Sequence, residues 1–339
     1  MHVEKIIKVG LNGFGRIGKA VFRAGVSRPG IEFVAINSRS DPSIYAHLLK
    51  YDSVHGRFPG TVELKGKHLS VNGYEVKMFQ ETDPLNVPWK QLGVDVVIEC
   101  TGEFRKRADI EKHLHAGAKY VVLTAPPKGD DSIPLYVYGV NHTQFKKEKD
   151  LLVSNASCTT NCLAPLAKVL NDAFGIKKGF MSTVHAYTSS QSLIDRSDKD
   201  LRRARAAAIN IIPTSTGAAK SIGKVIPELA GKLDGTAFRV PVPNGSMVDL
   251  VVELNRNVTV EEVNQAVKKA AEGSFKGIIE YSDAHLVSSD VLGNPHSCVF
   301  DSLCTQLVAG NLVKILAWYD NEFGYSCRLI DLIQYIYRQ

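Results

Sequence analysis

Long apolar runs are missing from this chain. Nothing in its 339 residues approaches the roughly 18 consecutive apolar positions that a membrane-spanning helix needs. Residues 1–8 carry neither an apolar core nor a small-residue cleavage site, so no secretory leader is expected. Cysteine is scarce as well. The thiols Cys100, Cys158, Cys162, Cys298, Cys304 and Cys327 cannot frame a chain of this length, and reduced thiols in a cytoplasmic protein are expected. Neither charge dominates: 41 Lys and Arg against 35 Asp and Glu leave +6, spread along the sequence. That excess suits a solvated surface or a cleft for small anions. No aromatic–basic motif points to RNA, so neither a nucleic-acid nor a membrane partner is expected. Internal repeats, low-complexity tracts and a metal-ligand pattern are also lacking. Disorder, collagen and disulfide scaffolds are thereby excluded.

What is present is an ordinary globular composition, 44% apolar and 22% charged. The length fits about two domains of ~150 residues. Residues 6–12, 31–37, 94–100 and 120–125 read as buried strands, with helical periodicity over 16–26 and 106–116. Strands alternating with helices imply a parallel sheet with right-handed crossovers. A last short strand falls at 151–154. Beyond it the pattern changes. Residues 178–188, 236–242, 246–255 and 313–319 read as longer strands, several alternating apolar with polar, as an antiparallel sheet with one open face requires. A helix over 260–272 follows Thr259, and 324–337 has helical periodicity. The fold class is α/β, with a boundary near residue 154.

Gly13-Phe14-Gly15-Arg16-Ile17-Gly18 closes the first strand and opens the first helix. In that context G-x-G-x-x-G permits a tight turn and lets a pyrophosphate approach a helix N-terminus. A carboxylate about 20 residues on usually holds the adenosine ribose. Here the second strand ends Ile36-Asn37-Ser38-Arg39-Ser40. Ser38 and Arg39 can donate to a 2′-phosphate, which argues for NADP. The competing reading turns Arg39 to solvent and gives the ribose to Asp41.

The second constellation is Ser154 to Cys162, in which Cys158 follows a short strand and opens a helical stretch. A helix N-terminus stabilises a thiolate. Cys162 lies one turn further, on the same face, and reads as core filler. Pro165 is expected to kink that helix or fall in its early turns. His185, on a separate strand, is a candidate partner for Cys158. The basic run Lys199, Arg202, Arg203 and Arg205 reads as an anion contact or a solvated helix face. The hydroxyl-rich stretch Pro213-Thr214-Ser215-Thr216-Gly217 reads as an oxyanion loop. No Walker frame fits around Lys224.

These segments, with Asp200 to Ala208, Arg239 to Pro243 and Trp318 to Ser326, make the chain resemble phosphorylating glyceraldehyde-3-phosphate dehydrogenases from end to end. The resemblance implies an N-terminal Rossmann domain over 1–154. It implies a mixed α/β catalytic domain with a large, mostly antiparallel sheet over 155–322, and a terminal helix over 323–339 that packs back on the first domain. It implies a homotetramer acting on glyceraldehyde 3-phosphate and inorganic phosphate with NAD or NADP. Cys158 would be the nucleophile and His185 its base, the two held as a preformed imidazolium–thiolate pair. Thr188 and Arg239 would bind the substrate phosphate. Ser157, Thr159, Thr216 and Gly217, with Arg203 nearby, would bind the attacking phosphate. Gly13, Gly15, Arg16, Ile17, Gly18 and Thr124 would line the cofactor, and Asn321 and Tyr325 would orient its nicotinamide.

Two departures separate this chain from the NAD-specific pattern. Ser38 stands where those enzymes carry Asp, and Arg196-Ser197 where they carry Leu-Pro, in a loop that reaches a neighbouring subunit's cofactor. Both changes resemble the NADP-accepting, often gluconeogenic, branch, with Ser38, Arg39 and Ser197 as its cofactor contacts. Erythrose-4-phosphate dehydrogenase and non-phosphorylating aldehyde dehydrogenase are the alternative activities. Ala186-Tyr187-Thr188 and Thr216-Gly217-Ala218-Ala219-Lys220 keep the glyceraldehyde pattern.

Overall fold

The apolar runs near the N-terminus become parallel strands buried on both faces. The computed structural model describes residues 6–129 and 132–339, and the chain divides into two units. The first comprises the residues through Tyr138, His142–Ala156 and Leu329–Gln339. Its elements run β1 (Ile7–Asn12), α1 (Arg16–Gly25), β2 (Ile31–Asn37), α2 (Pro42–Lys50), β3 (Tyr51–Asp52), β4 (Gly56–Arg57), β5 (Val62–Lys65), β6 (His68–Val71), β7 (Tyr74–Phe79), β8 (Val96–Glu99), α3 (Arg107–His115), β9 (Tyr120–Leu123) and β10 (Leu152–Ser154). Eight strands form one sheet in the order β10-β9-β8-β1-β2-β7-β6-β5. It is parallel from β10 to β7, and β7, β6 and β5 close one edge as an antiparallel meander.

All four residues of β8 are buried, as a strand covered on both faces requires. Gly25 ends α1 where a Cβ would come within 2.8 Å of Ile330 and 2.9 Å of Phe33. That close approach seats the chain's last residues. Leu329, Ile330, Leu332, Ile333 and Ile336 lie in the same core as Phe22 and Phe33.

The second unit comprises Gly139–Asn141 and Ser157–Arg328. It holds α4 (Cys158–Phe174), β11 (Ile176–Ala186), β12 (Ile212–Ser215), α5 (Ala218–Val225), β13 (Leu233–Val240), β14 (Ser246–Leu254), α6 (Val260–Glu272), β15 (Ile279–Ser282), β16 (Cys298–Val308) and β17 (Leu312–Tyr319). α7 (Phe323–Arg338) starts here and ends in the first unit. The strand order is β12-β13-β11-β14-β17-β16-β15. Pairing is antiparallel except at β13–β11 and β16–β15, giving the mixed, mostly antiparallel sheet that was expected. β14 alternates buried and half-buried residues along its whole length. A capping box between Thr259 and Glu262 starts α6.

Two local expectations change. The hydroxyl-rich stretch is not all loop, because Ile212–Ser215 pairs with β13 as β12 and only Thr216 and Gly217 turn into α5. The basic run is not a helix face. Residues 201–205 form turns, held by Asp200 accepting from the Arg202 and Arg203 amides. Pro165 sits inside α4, eight residues into the helix. Among the described residues no helix is long and apolar enough to cross a membrane.

Candidate active site

Ser157 caps α4, its hydroxyl accepting from the Thr160 amide at 3.1 Å, and Cys158 is the first helical residue. The sulfur therefore sits where the helix presents unsatisfied N–H groups. β11 brings His185 to it from 27 residues away, with Sγ 3.4 Å from Nε2. The far side of the ring makes two contacts. Nδ1 lies 2.7 Å from the Ala186 carbonyl oxygen and 2.6 Å from Nη1 of Arg239, on the neighbouring strand β13. Nη1 also donates to the Ala186 oxygen at 2.9 Å. The carbonyl demands an Nδ1–H, whereas the guanidinium demands a bare Nδ1. The placement of Arg239 thus selects the imidazole tautomer.

Electrostatics here set burial against the neighbouring charges. Burial pushes the Cys158 thiol up, opposed by the Arg239 charge and by hydrogen bonds around Thr159. Burial, then Arg239, push His185 down to about 3, with the Ala186 carbonyl opposing. A buried ring beside a guanidinium pays desolvation and like-charge repulsion together on becoming an imidazolium.

Tyr319, which no sequence signal had singled out, closes the site from β17. Its hydroxyl lies 3.0 Å from both Thr159 Oγ1 and Thr183 Oγ1, and its ring meets His185 edge-on at 5.9 Å. The same β17 end leads into buried Asn321, whose Oδ1 accepts from Ser246 Oγ at 2.7 Å. Ser246 in turn accepts from the Ala186 amide at 3.0 Å. Tyr325 is buried in α7.

Of the expected anion contacts, Arg239 and Arg203 lie near enough for Arg203's charge to add to burial in lowering Arg239, although Cys158 and Tyr319 oppose it. Arg203 also donates to Asp200 at 3.1 Å. Thr188 Oγ1 is 2.8 Å from Ser190 Oγ, and Thr216 Oγ1 accepts from the Ala218 amide at 3.2 Å. Gly217 is the N-cap of α5, with open space where a Cβ would be. Ser197 is exposed.

The first unit carries a separate cavity of about 200 Å³ along the Gly loop. Gly13 has φ +96, and a Cβ there would lie 2.7 Å from the Thr101 nitrogen. At Gly18 a Cβ would lie 2.2 Å from the Gly13 oxygen, so α1 can pack against the turn only with glycine there. Gly15 differs, since a Cβ there meets nothing within 4 Å. It lines the cavity at the start of α1, where no side chain caps the helix and the first turn has no acidic residue. Those features fit a dinucleotide's pyrophosphate. Arg16 pairs with Asp52 at 2.7 Å. Burial opposes ionisation of Asp52, but the His55 and Val54 amides and Arg16 outweigh it and hold the carboxyl at about 2. Ile17 packs against the core, and Thr124 Oγ1 donates to the Glu99 carbonyl rather than facing the cavity.

The rim where a ribose would rest is built by Ser38, Arg39, Tyr45, Glu81 and Glu103. Ser38 Oγ accepts from the Phe14 amide at 3.2 Å and donates to Tyr45 Oη at 2.5 Å. Arg39 meets Glu103 through both guanidinium nitrogens in an exposed ion pair. Asp41 caps α2, accepting from the Ser43 amide at 2.8 Å, and stands outside the cavity lining.

Comparison with known proteins agrees with this layout. Residues 7–107 match the family described as "Glyceraldehyde 3-phosphate dehydrogenase, NAD binding domain", and 157–321 match its "C-terminal domain". The chain is 56% identical over 330 residues to the glyceraldehyde-3-phosphate dehydrogenase of Geobacillus stearothermophilus, covering 97% of this chain and 98% of that one. It is 55% identical, with the same coverage, to glyceraldehyde-3-phosphate dehydrogenase 1 of Bacillus subtilis strain 168. Glyceraldehyde-3-phosphate dehydrogenase 1 of Saccharomyces cerevisiae is 50% identical over 333 residues, 98% of this chain and 99% of that one. With both halves matched and nearly the full length aligned, this chain belongs to the glyceraldehyde-3-phosphate dehydrogenase family.

Proposed function

We propose that this chain catalyses the reversible oxidative phosphorylation of glyceraldehyde 3-phosphate to 1,3-bisphosphoglycerate, as a cytoplasmic homotetramer that uses NADP at least as well as NAD. The carrying observation is the Cys158–His185 contact at an α4 N-terminus with Arg239 on the opposite edge of the ring. In this reading residues 1–154 bind the cofactor, 155–322 carry the thiol chemistry and the terminal helix over 323–339 packs back on the first domain.

Arg239 and Thr188 take the substrate's phosphate. Drawn onto that anion, Arg239 leaves Nδ1, the ring's single proton moves from Nε2 to Nδ1 and donates to the Ala186 carbonyl, and Nε2 presents its lone pair to the thiol. The Cys158 proton passes to Nε2 as sulfur bonds the aldehyde carbon, and from there to the new alkoxide, giving a hemithioacetal. His185 then removes that hydroxyl proton as the C–H bond gives up its electron pair. The bound nicotinamide supplies the hydride acceptor, with Asn321 and Tyr325 orienting it. The product is a thioester on Cys158. Inorganic phosphate, held by Ser157, Thr159, Thr216, Gly217 and Arg203, attacks the thioester carbon. The C–S bond breaks, and the sulfur recovers a proton from His185.

Ser38 in place of a carboxylate supports the NADP reading, since no anion at that position repels a 2′-phosphate. The test is glyceraldehyde 3-phosphate oxidation with NAD and with NADP, each with and without inorganic phosphate. Turnover that continues unchanged without phosphate would show a non-phosphorylating enzyme instead.

A further inference from the structure

The hydrogen bonds of the ribose rim run through Ser38 to Tyr45. A serine hydroxyl has one proton to give, and Ser38 gives it to Tyr45 Oη at 2.5 Å while accepting from the Phe14 amide at 3.2 Å. Tyr45 Oη also accepts from the Ser40 amide at 3.3 Å, which occupies both its acceptor sites. One proton is left over: the phenol's own. Among the described residues the structure gives it no acceptor, and Tyr45 lines the cavity beside Ser38. The ring is fixed by an edge contact with Phe14 at 5.8 Å and by packing against the core, so the hydroxyl is preorganised. The Gln80 amide holds the adjoining turn by donating to the Arg39 and Ser40 carbonyls at 3.3 and 3.2 Å.

We propose that Tyr45 is the residue that reads the 2′ substituent of the cofactor's adenosine, its phenol O–H donating to a 2′-phosphate or 2′-hydroxyl, with Ser38 as a positioning residue that turns that proton outward. This rests on the dinucleotide reading above and refines its account of NADP acceptance. Burial works to raise the phenol's pKa, but hydrogen bonds with Ser38 and Ser40 and the charge of Lys19 outweigh it, leaving the group a better donor than an ordinary tyrosine. Arg39, already facing Glu103 in an exposed pair, supplies charge rather than geometry.

The experiment is calorimetric titration of the whole enzyme with adenosine 2′,5′-bisphosphate and with 5′-AMP, in wild type, Tyr45→Phe and Ser38→Ala. Tyr45→Phe keeps the ring and its packing, and thermal unfolding will verify that it folds. Loss of a hydrogen bond to a charged group should weaken bisphosphate binding roughly ten- to hundredfold in Tyr45→Phe. The 5′-AMP affinity should fall less, and Ser38→Ala should lose less than Tyr45→Phe. In turnover, KM for NADP should rise with kcat unchanged. Equal losses for both nucleotides in Tyr45→Phe would reduce Tyr45 to a wall of the pocket and overturn the proposal. A larger loss in Ser38→Ala would make Ser38 the donor and overturn it equally. Wild type binding the bisphosphate no better than 5′-AMP would remove the NADP reading itself, and this inference with it.

Discussion

At the scale of single residues, two cysteines one helical turn apart have opposite fates. Cys158 stands at the opening of α4 against an imidazole, while Cys162 is fully buried, its thiol raised well above the ordinary value by burial and then by Cys298. Cys158→Ser should abolish oxidation, a drop of roughly a thousandfold or more, because removing an activated nucleophile leaves only binding and positioning. Cys162→Ser should keep most activity. Steady-state rates of both variants decide between the two assignments, and an active Cys158→Ser enzyme would end this one. Arg239 carries a prediction with a definite sign. Its charge lowers both the Cys158 thiol and the His185 imidazolium, so Arg239→Leu should raise both. The thiolate forms as pH rises through the thiol's pKa, so the iodoacetamide alkylation profile should move to higher pH in the variant. Use of the phosphorylated aldehyde should fall roughly ten- to hundredfold, the worth of a charge-assisted bond, and use of free glyceraldehyde much less. An unshifted alkylation profile would separate Arg239 from the thiol.

Elements explain which parts of the molecule were legible in advance. The Gly loop was, because its glycines at the strand-to-helix turn have separate reasons: Gly13 and Gly18 leave no room for a Cβ, whereas Gly15 leaves open space. Those reasons can be tested apart. Gly18→Ala drives a Cβ to 2.2 Å from a backbone oxygen and should cost folding stability of about 1–3 kcal/mol, as overpacking does. Gly15→Ala meets no protein atom, so urea unfolding should stay within about 1 kcal/mol of wild type, near the Ala penalty at an N-cap. Its methyl group points where the pyrophosphate would lie, so dinucleotide binding should weaken severalfold or more. If Gly15→Ala bound dinucleotide normally, the pyrophosphate would have to lie elsewhere. The Cys158 and His185 segments were legible too, but their 3.4 Å contact and the Arg239 contact depend on β11 and β13 being neighbours, and pairing partners are not written locally. The β5–β7 meander went unread although Asn72-Gly73, both at positive φ, is a strong hairpin turn. Its strands are short, and β7 pairs with β2 through contacts distant in sequence. Tyr45 went unread because α2 brings it back to Ser38 only in three dimensions. Burial, the largest influence on both Cys158 and His185, cannot be seen in a sequence either.

On the scale of the whole molecule, one segment looks unfinished in a single chain. Leu193, Ile194, Leu201, Ile209 and Ile211 are 74, 77, 82, 79 and 69% exposed, all within one loop-rich stretch of the second unit. Clustered large apolar side chains at such exposure mark an association surface rather than a solvated loop. The same stretch carries Ser197, also exposed, which in the proposed tetramer would lie beside a neighbouring subunit's cofactor. Assembly and cofactor choice should therefore fail together. Ile194→Asp combined with Leu201→Asp places two carboxylates where apolar contacts would form, and isolated buried charge is costly. Wild type should sediment at four times the chain mass and the double variant as smaller species. NADP binding in the variant should weaken more than NAD binding, because only the 2′-phosphate loses the Ser197 hydroxyl. A wild type that sediments as a monomer would make the exposed cluster a surface for some other partner. A variant that remains tetrameric would show that the subunits meet through a different face.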